Sequence, residues 1–171
     1  MTDPRPSRKP RFDVVSRDVA SSPEAIFAVL ADPLRHPALD DSGMVLEPAT
    51  EGSGSPPGPI THVGQVFRMR MTMGGVNRYE TDNHVFVFEP GRAIGWEVAE
   101  VDGKPLGWTW RFDLEPVEAG TRVTPVTRVT QTYDWSQVTD AETLRTIPFP
   151  AVPRDARLET LALLAELVET P

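Results

Sequence analysis

One residue stands out for its chemical setting. Arg157 falls inside the apolar arc of a helix predicted over Pro153 to Glu169, between Leu161 and Leu164 when residues are placed at about 100° per step. A guanidinium there must pair with a carboxylate, meet an anion or enolate of a ligand, or reach out to solvent along its own methylenes. Tyr79, Tyr133, Asp134 and His84 are the other side chains suited to proton transfer, and nothing in their spacing brings them together. The three histidines, His36, His62 and His84, make no H-x-H or H-x-x-x-H pair, and cysteine is absent, so no metal site and no disulfide is expected. His36, followed by Pro37, is expected to fix a turn. The serines of the segment TEGSGSPPGP (50–59) lack the G-x-S-x-G of a nucleophile elbow, and its glycines lack the G-K-[ST] of a phosphate loop. No catalytic set is recognisable.

The elements that would position these residues are mostly strands. In GQVFRMRMTM (64–73), Phe67, Met69, Met71 and Met73 share one face, and Arg68, Arg70 and Thr72 the other. Gly74-Gly75 predicts a hairpin turn into a return strand over 76–88. Turns at 89–92 and at Asp102-Gly103 bound a strand carrying Ile94, Trp96 and Val98. Leu106, Trp108, Trp110, Phe112 and Leu114 alternate in the next. A long Thr- and Val-rich strand is expected over 121–135, bent near Pro125. Before these come a strand over 12–20 and a short strand over 44–47.

Helices stand near the two ends. Ser22 as N-cap, Pro23 in the first turn and Glu24 start a short helix whose apolar face is Ala25, Ile26, Val29 and Leu30. A second short piece covers 34–39, and another short helix is expected over 141–146. On the final helix, Leu158, Leu161, Leu164, Ala165 and Val168 form the apolar face, widened by Leu163 and Leu167. The expected fold is α+β: a curved antiparallel sheet of six or seven strands around a long C-terminal helix.

The totals agree with a globular chain. Its 171 residues suit one domain, over 11–171, after a polar, Pro-rich arm at 1–10 expected to be disordered. The net charge of −8 argues against a nucleic-acid partner, whose affinity comes from clustered cations. No apolar run reaches membrane-spanning length and no secretory leader is visible, so membrane insertion is not expected and a cytoplasmic location is. Only Lys9 and Lys104 occur among many arginines, which reads as the codon usage of a GC-rich bacterial genome rather than as function.

Four segments, SSPEAIFAVLADPLRHP (21–37), FVFEPGRAIGWEV (86–98), WTWRFDLEPVEAGTRVT (108–124) and TYDWS (132–136), resemble the START-like superfamily, also called SRPBCC, helix-grip or Bet v 1-like. Within it the chain looks most like bacterial polyketide cyclase/dehydrase-like proteins. The likeness spans about 12–169. It departs from the chaperone ATPase activators, which carry a tryptophan-rich motif where this chain has LRHPALDD. The superfamily has no shared catalytic motif, so the resemblance implies a place rather than a set of residues: a cavity between sheet and C-terminal helix. Its expected lining is Phe67, Met69, Met71, Tyr79, Trp96, Trp108, Trp110, Tyr133 and Arg157. Thioethers adapt to irregular apolar ligands, and indoles offer a flat wall with one donor. The resemblance implies binding or transport of a hydrophobic small molecule, such as a lipid, polyketide or isoprenoid, without a cofactor. Two alternatives remain open: a polyketide cyclase/aromatase using the same cavity, and an interaction module with a collapsed one.

Overall fold

The computed structural model describes residues 9–49, 58–118 and 123–169. The expected arm, apart from Lys9 and Pro10, and most of the Gly/Ser/Pro segment at 50–57 lie outside the described residues. Seven strands form one antiparallel sheet: β1 (Phe12–Val19), β2 (Val45–Pro48), β3 (Val66–Met73), β4 (Asn77–Glu89), β5 (Ala93–Ala99), β6 (Pro105–Pro116) and β7 (Thr127–Asp134). Their order across the sheet is β1-β7-β6-β5-β4-β3-β2. From β3 to β7 each strand pairs with the next in sequence, as short connections require. β1 adds beside β7 at one margin, and β2 beside β3 at the other. Register shifts at Val45/Glu47, Val85/Val87 and Glu97/Ala99 bend and twist the sheet.

The turn residues act as their chemistry dictates. Gly74 and Gly75 both have positive φ, 62° and 72°, between β3 and β4. Asp102 takes a φ of 52° in the β5–β6 turn, with Gly103 beside it. The long expected strand over 121–135 is shorter in the structure. It begins at Thr127, after Pro125, because a proline has no N–H to give to the ladder.

Among the described residues four helices accompany the sheet: α1 (Pro23–Leu30), α2 (His36–Leu39), α3 (Ala141–Thr146) and α4 (Arg154–Glu169), with a 3-10 turn at Pro33–Arg35. Ser22 caps α1, its Oγ accepting from the Ala25 N–H at 3.2 Å. The buried face of α1 is Ile26, Phe27 and Leu30; Ala25, expected inside, is exposed. On α4 the buried stripe is Arg157, Leu161, Leu164 and Ala165, spaced i, i+4, i+7 and i+8. Leu158 and Leu167, placed in the apolar arc by sequence, are 39% and 37% exposed. The stripe is narrower because α4 meets β1 along one edge and α1 and α2 along another. Val15, Val19, Ile26, Leu30, Ile94, Val129, Leu161 and Leu164 form the dry centre of this packing, each at 1% exposure or less.

Candidate functional site

A cavity of about 540 Å³ lies against the inner face of the sheet. Strands β3 to β7 supply most of its wall, α2 closes one side, and the α3–α4 connection with the first turns of α4 closes another. Period-two alternation explains why the wall is apolar. Phe67, Met69, Met71 and Met73 come from β3, Trp96 and Val98 from β5, and Leu106, Trp108, Trp110 and Phe112 from β6, all turned to one face. All nine residues singled out from the sequence stand on this wall: Phe67, Met69, Met71, Tyr79, Trp96, Trp108, Trp110, Tyr133 and Arg157. Of the other polar candidates, His84 is exposed and Asp134 accepts from the Ser136 N–H at 2.8 Å; neither lines the cavity.

Arg157 resolves into an ion pair. Its side chain is 1% exposed, and its terminal nitrogens donate to the carboxylate and the carbonyl oxygen of Asp13 on β1. Arg154, one turn earlier, grips the same carboxylate at 3.0 Å and the Val14 carbonyl at 2.9 Å. Burial works to raise the Asp13 pKa, but hydrogen bonds and charge from Arg157 and Arg154 outweigh it and hold the group below the usual carboxylate range. The Nε of Arg157 has no hydrogen-bond partner. An unmet buried donor of this kind costs about 1–3 kcal/mol.

Tyr133 stands beside it. The Trp110 indole stacks on its ring, centroids 4.1 Å apart and planes 6° from parallel. The guanidinium carbon of Arg157 lies 5.8 Å from the same ring centroid. Burial pushes the Tyr133 pKa well up, against the opposing pull of the Ala151 backbone and the Arg157 charge. Tyr133 is therefore a neutral phenol at ordinary pH. Tyr79 and Met73 occupy the rim, 37% and 50% exposed.

Among the wall residues not expected in the cavity lining are Gln131, Asn83 and His36. Gln131, two residues from Tyr133 on β7, is 3% exposed, and its Oε1 has no partner. Asn83 on β4 donates to the Phe67 carbonyl at 3.2 Å. His36 does fix the turn, with Nε2 2.8 Å from the Leu30 carbonyl oxygen, and its ring also forms cavity wall. Because a carbonyl only accepts, Nε2 carries the proton. Burial lowers the His36 pKa, with the Leu30 carbonyl and Asp32 pulling weakly the other way. Helical spacing and strand alternation flag none of the three as cavity wall, since those patterns mark apolar residues and each of the three is polar.

No group of three potential metal ligands occurs among the described residues, and none of their helices is long and apolar enough to cross a membrane.

An antiparallel sheet closed onto a long C-terminal helix, with a cavity left between them, is a helix-grip fold. Solved structures share it. Protein CV1439 from Chromobacterium violaceum matches 95% of this chain and 100% of its own, with a TM-score of 0.63 at 18% identity. Ms6760 from Mycobacterium smegmatis matches 93% of this chain and 91% of its own, with a TM-score of 0.61 at 12% identity. At such identities the likeness is one of fold alone. No protein-family model matches the chain. In sequence, the uncharacterized protein Rv0088 of Mycobacterium tuberculosis is 32% identical over 120 residues, 70% of this chain. The matched region is 46% of that relative, so the chain spans about half the length of the curated proteins it matches.

Proposed function

We propose that the protein binds a hydrophobic small molecule, of lipid, polyketide or isoprenoid type, in the cavity between sheet and α4. The observation that carries this reading is the cavity itself: about 540 Å³, walled largely by Met, Trp, Phe and Leu side chains, with fewer polar groups among them. Small-molecule sites are typically about 300–1,000 Å³ with this kind of lining. A collapsed interior, which the interaction-module reading calls for, finds no support in such a volume. The acidic net charge and the absence of cysteine favour a cytoplasmic carrier or sensor that does not act on nucleic acid.

Native mass spectrometry of freshly purified protein tests the proposal, together with uptake of the dye Nile red. A retained apolar mass, or dye binding abolished by Met71→Trp, which fills the space, supports it. Absence of both a retained mass and dye uptake would count decisively against it.

A cyclase-type activity in the same cavity draws on one narrower observation, the neutral Tyr133 phenol beside Arg157. In that reading the Tyr133 hydroxyl donates a hydrogen bond to a carbonyl oxygen of a poly-keto thioester, and Tyr133→Phe lowers turnover of that thioester while leaving dye uptake intact.

A further inference from the structure

The chain has five methionines and no cysteine, so thioethers are its only sulfur. Four of the five, Met44, Met69, Met71 and Met73, line the cavity, and the other is Met1. Three of them fill consecutive inward positions of β3, where strands usually carry β-branched or aromatic residues. Their exposure is graded. Met73 at the rim is 50% exposed, Met71 and Met44 are half-buried, and Met69 is 3% exposed. Of the half-buried pair, Met71 is the more firmly held. β3 has a neighbouring strand on each side, and Met71 stands opposite Val45 on β2 and Tyr79 on β4, both of which also line the cavity. Met44 lies just before β2, outside the strand.

We propose that Met71 and Met73 form a modification site for a peroxide-class oxidant, and that a sulfoxide at Met71 shuts the cavity to apolar ligands. This rests on the binding function proposed above and adds a redox control to it. The step is a two-electron oxygen transfer. A lone pair of the thioether sulfur attacks one peroxide oxygen, the O–O bond breaks and an S–O bond forms. The other oxygen leaves as hydroxide and takes the proton of the transferred one, giving water. Sulfur is oxidised and the peroxide reduced. With no thiol in the chain, no faster sulfur nucleophile competes. The product is a polar side chain where a flexible apolar one stood. At Met73, already half in solvent, the new oxygen faces water and changes little. At Met71, held between Val45 and Tyr79, it draws water into the space that an apolar ligand must fill. A ligand lying on the same wall covers the Met71 thioether, so binding and oxidation oppose each other in both directions.

The experiment treats the full chain with hydrogen peroxide, with and without Nile red, and follows each methionine by peptide mass mapping. Met73 is expected to gain oxygen first, Met71 later and Met69 last. Nile red should slow oxidation of Met71 severalfold and that of Met73 much less. Conversion of Met71 should weaken dye binding about tenfold, the cost of one poorly matched polar group. Methionine sulfoxide reductases for both epimers, with dithiothreitol, should restore it. Met71→Leu, compared with itself before and after peroxide, should keep its dye affinity. Full dye affinity with Met71 oxidised, oxidation of Met69 ahead of Met71, or a loss of affinity that comes with loss of the thermal unfolding transition overturns the modification site and leaves the cavity's binding role standing. Untreated protein that takes up no dye overturns this proposal, and if it also retains no apolar mass the binding function falls with it. Reversal by the reductases reads the unaltered chain, so the result does not depend on whether the variant folds.

Discussion

The imidazole of His36 lies nearly flat on the indole of Trp96, ring centroids 5.0 Å apart and planes 18° from parallel, while the edge of Phe67 closes on it at 5.6 Å. This aromatic nest holds the imidazole neutral. The unfolded chain takes up a proton near the ordinary value of 6.5, and the folded chain does so only at lower pH. Between those two values the unfolded state binds more protons, so falling pH favours unfolding. Stability should therefore be full above 6.5 and decline as the solution is acidified through it, levelling off below the folded-state value. In His36→Gln, which keeps a donor for Leu30, the decline in melting temperature between about pH 7 and 5 should flatten. An identical slope in both proteins would mean the imidazole is not the group responsible.

The Asp13–Arg157 pair should respond unequally to loss of either member. Asp13→Ala strands a guanidinium that is 1% exposed, at a cost of about 3 kcal/mol. Arg157→Met leaves a carboxylate that is one-third exposed and still held by Arg154, and the apolar replacement suits the buried stripe, so the cost should be about 1 kcal/mol. Urea unfolding of the two variants measures the difference, and the reverse order would refute it.

On the outer face, Arg68 clasps Asp82 through two hydrogen bonds of 2.7 and 3.0 Å, and the Asp102 N–H adds a third at 2.8 Å. The Arg68 hydrogen bond is the main reason the Asp82 pKa lies below 3.8. A lowered carboxylate stabilises the fold above the unfolded value and gives that stability up as pH falls through the folded one. Asp82→Asn should cost about 2 kcal/mol at neutral pH. It should also soften the acid limb of the stability curve between about pH 4 and 2. Equilibrium unfolding across that range reads both effects.

Gly107 sits in β6 with φ +106°, where an added Cβ would come within 2.7 Å of the Val138 backbone. Two effects coincide there, left-handed strain and a collision with main chain that cannot swing aside. Gly107→Ala should lose more than about 2 kcal/mol. Gly64, at φ +91°, has nothing within 4 Å of its Cβ position, so Gly64→Ala should lose less. Parallel thermal melts separate clash from strain.

Much of the cavity was readable because a strand's period of two is a strong constraint. Once Phe67, Met69 and Met71 share a face with a covered sheet, Trp96, Trp108 and Trp110 follow by the same alternation. The helix starts were equally legible, since Ser22-Pro23 names its own N-cap. What escaped depended on distance along the chain. That Arg157 would meet Asp13, 144 residues away, is a property of β1 lying beside β7 and not of any local pattern. Gln131 lay hidden in a Thr-rich run with no period to mark it. Leu158 misled for a related reason: on a helix with apolar residues over a wide arc, only the neighbours decide which of them are covered.

The strand order has a bearing on how the chain is made. Among the seven described strands β1 is made first, yet it lies at the sheet margin beside β7; Asp18 waits through 110 residues for Arg128. The helix that locks it in place, α4, comes later still. Early hairpins from β3 to β6 can zip together as they appear, while β1 must stay unpaired until β7 has been made. Assembly of the sheet thus finishes on the strand that is made first, and a nascent chain halted before residue 127 holds a sheet with one margin unfilled.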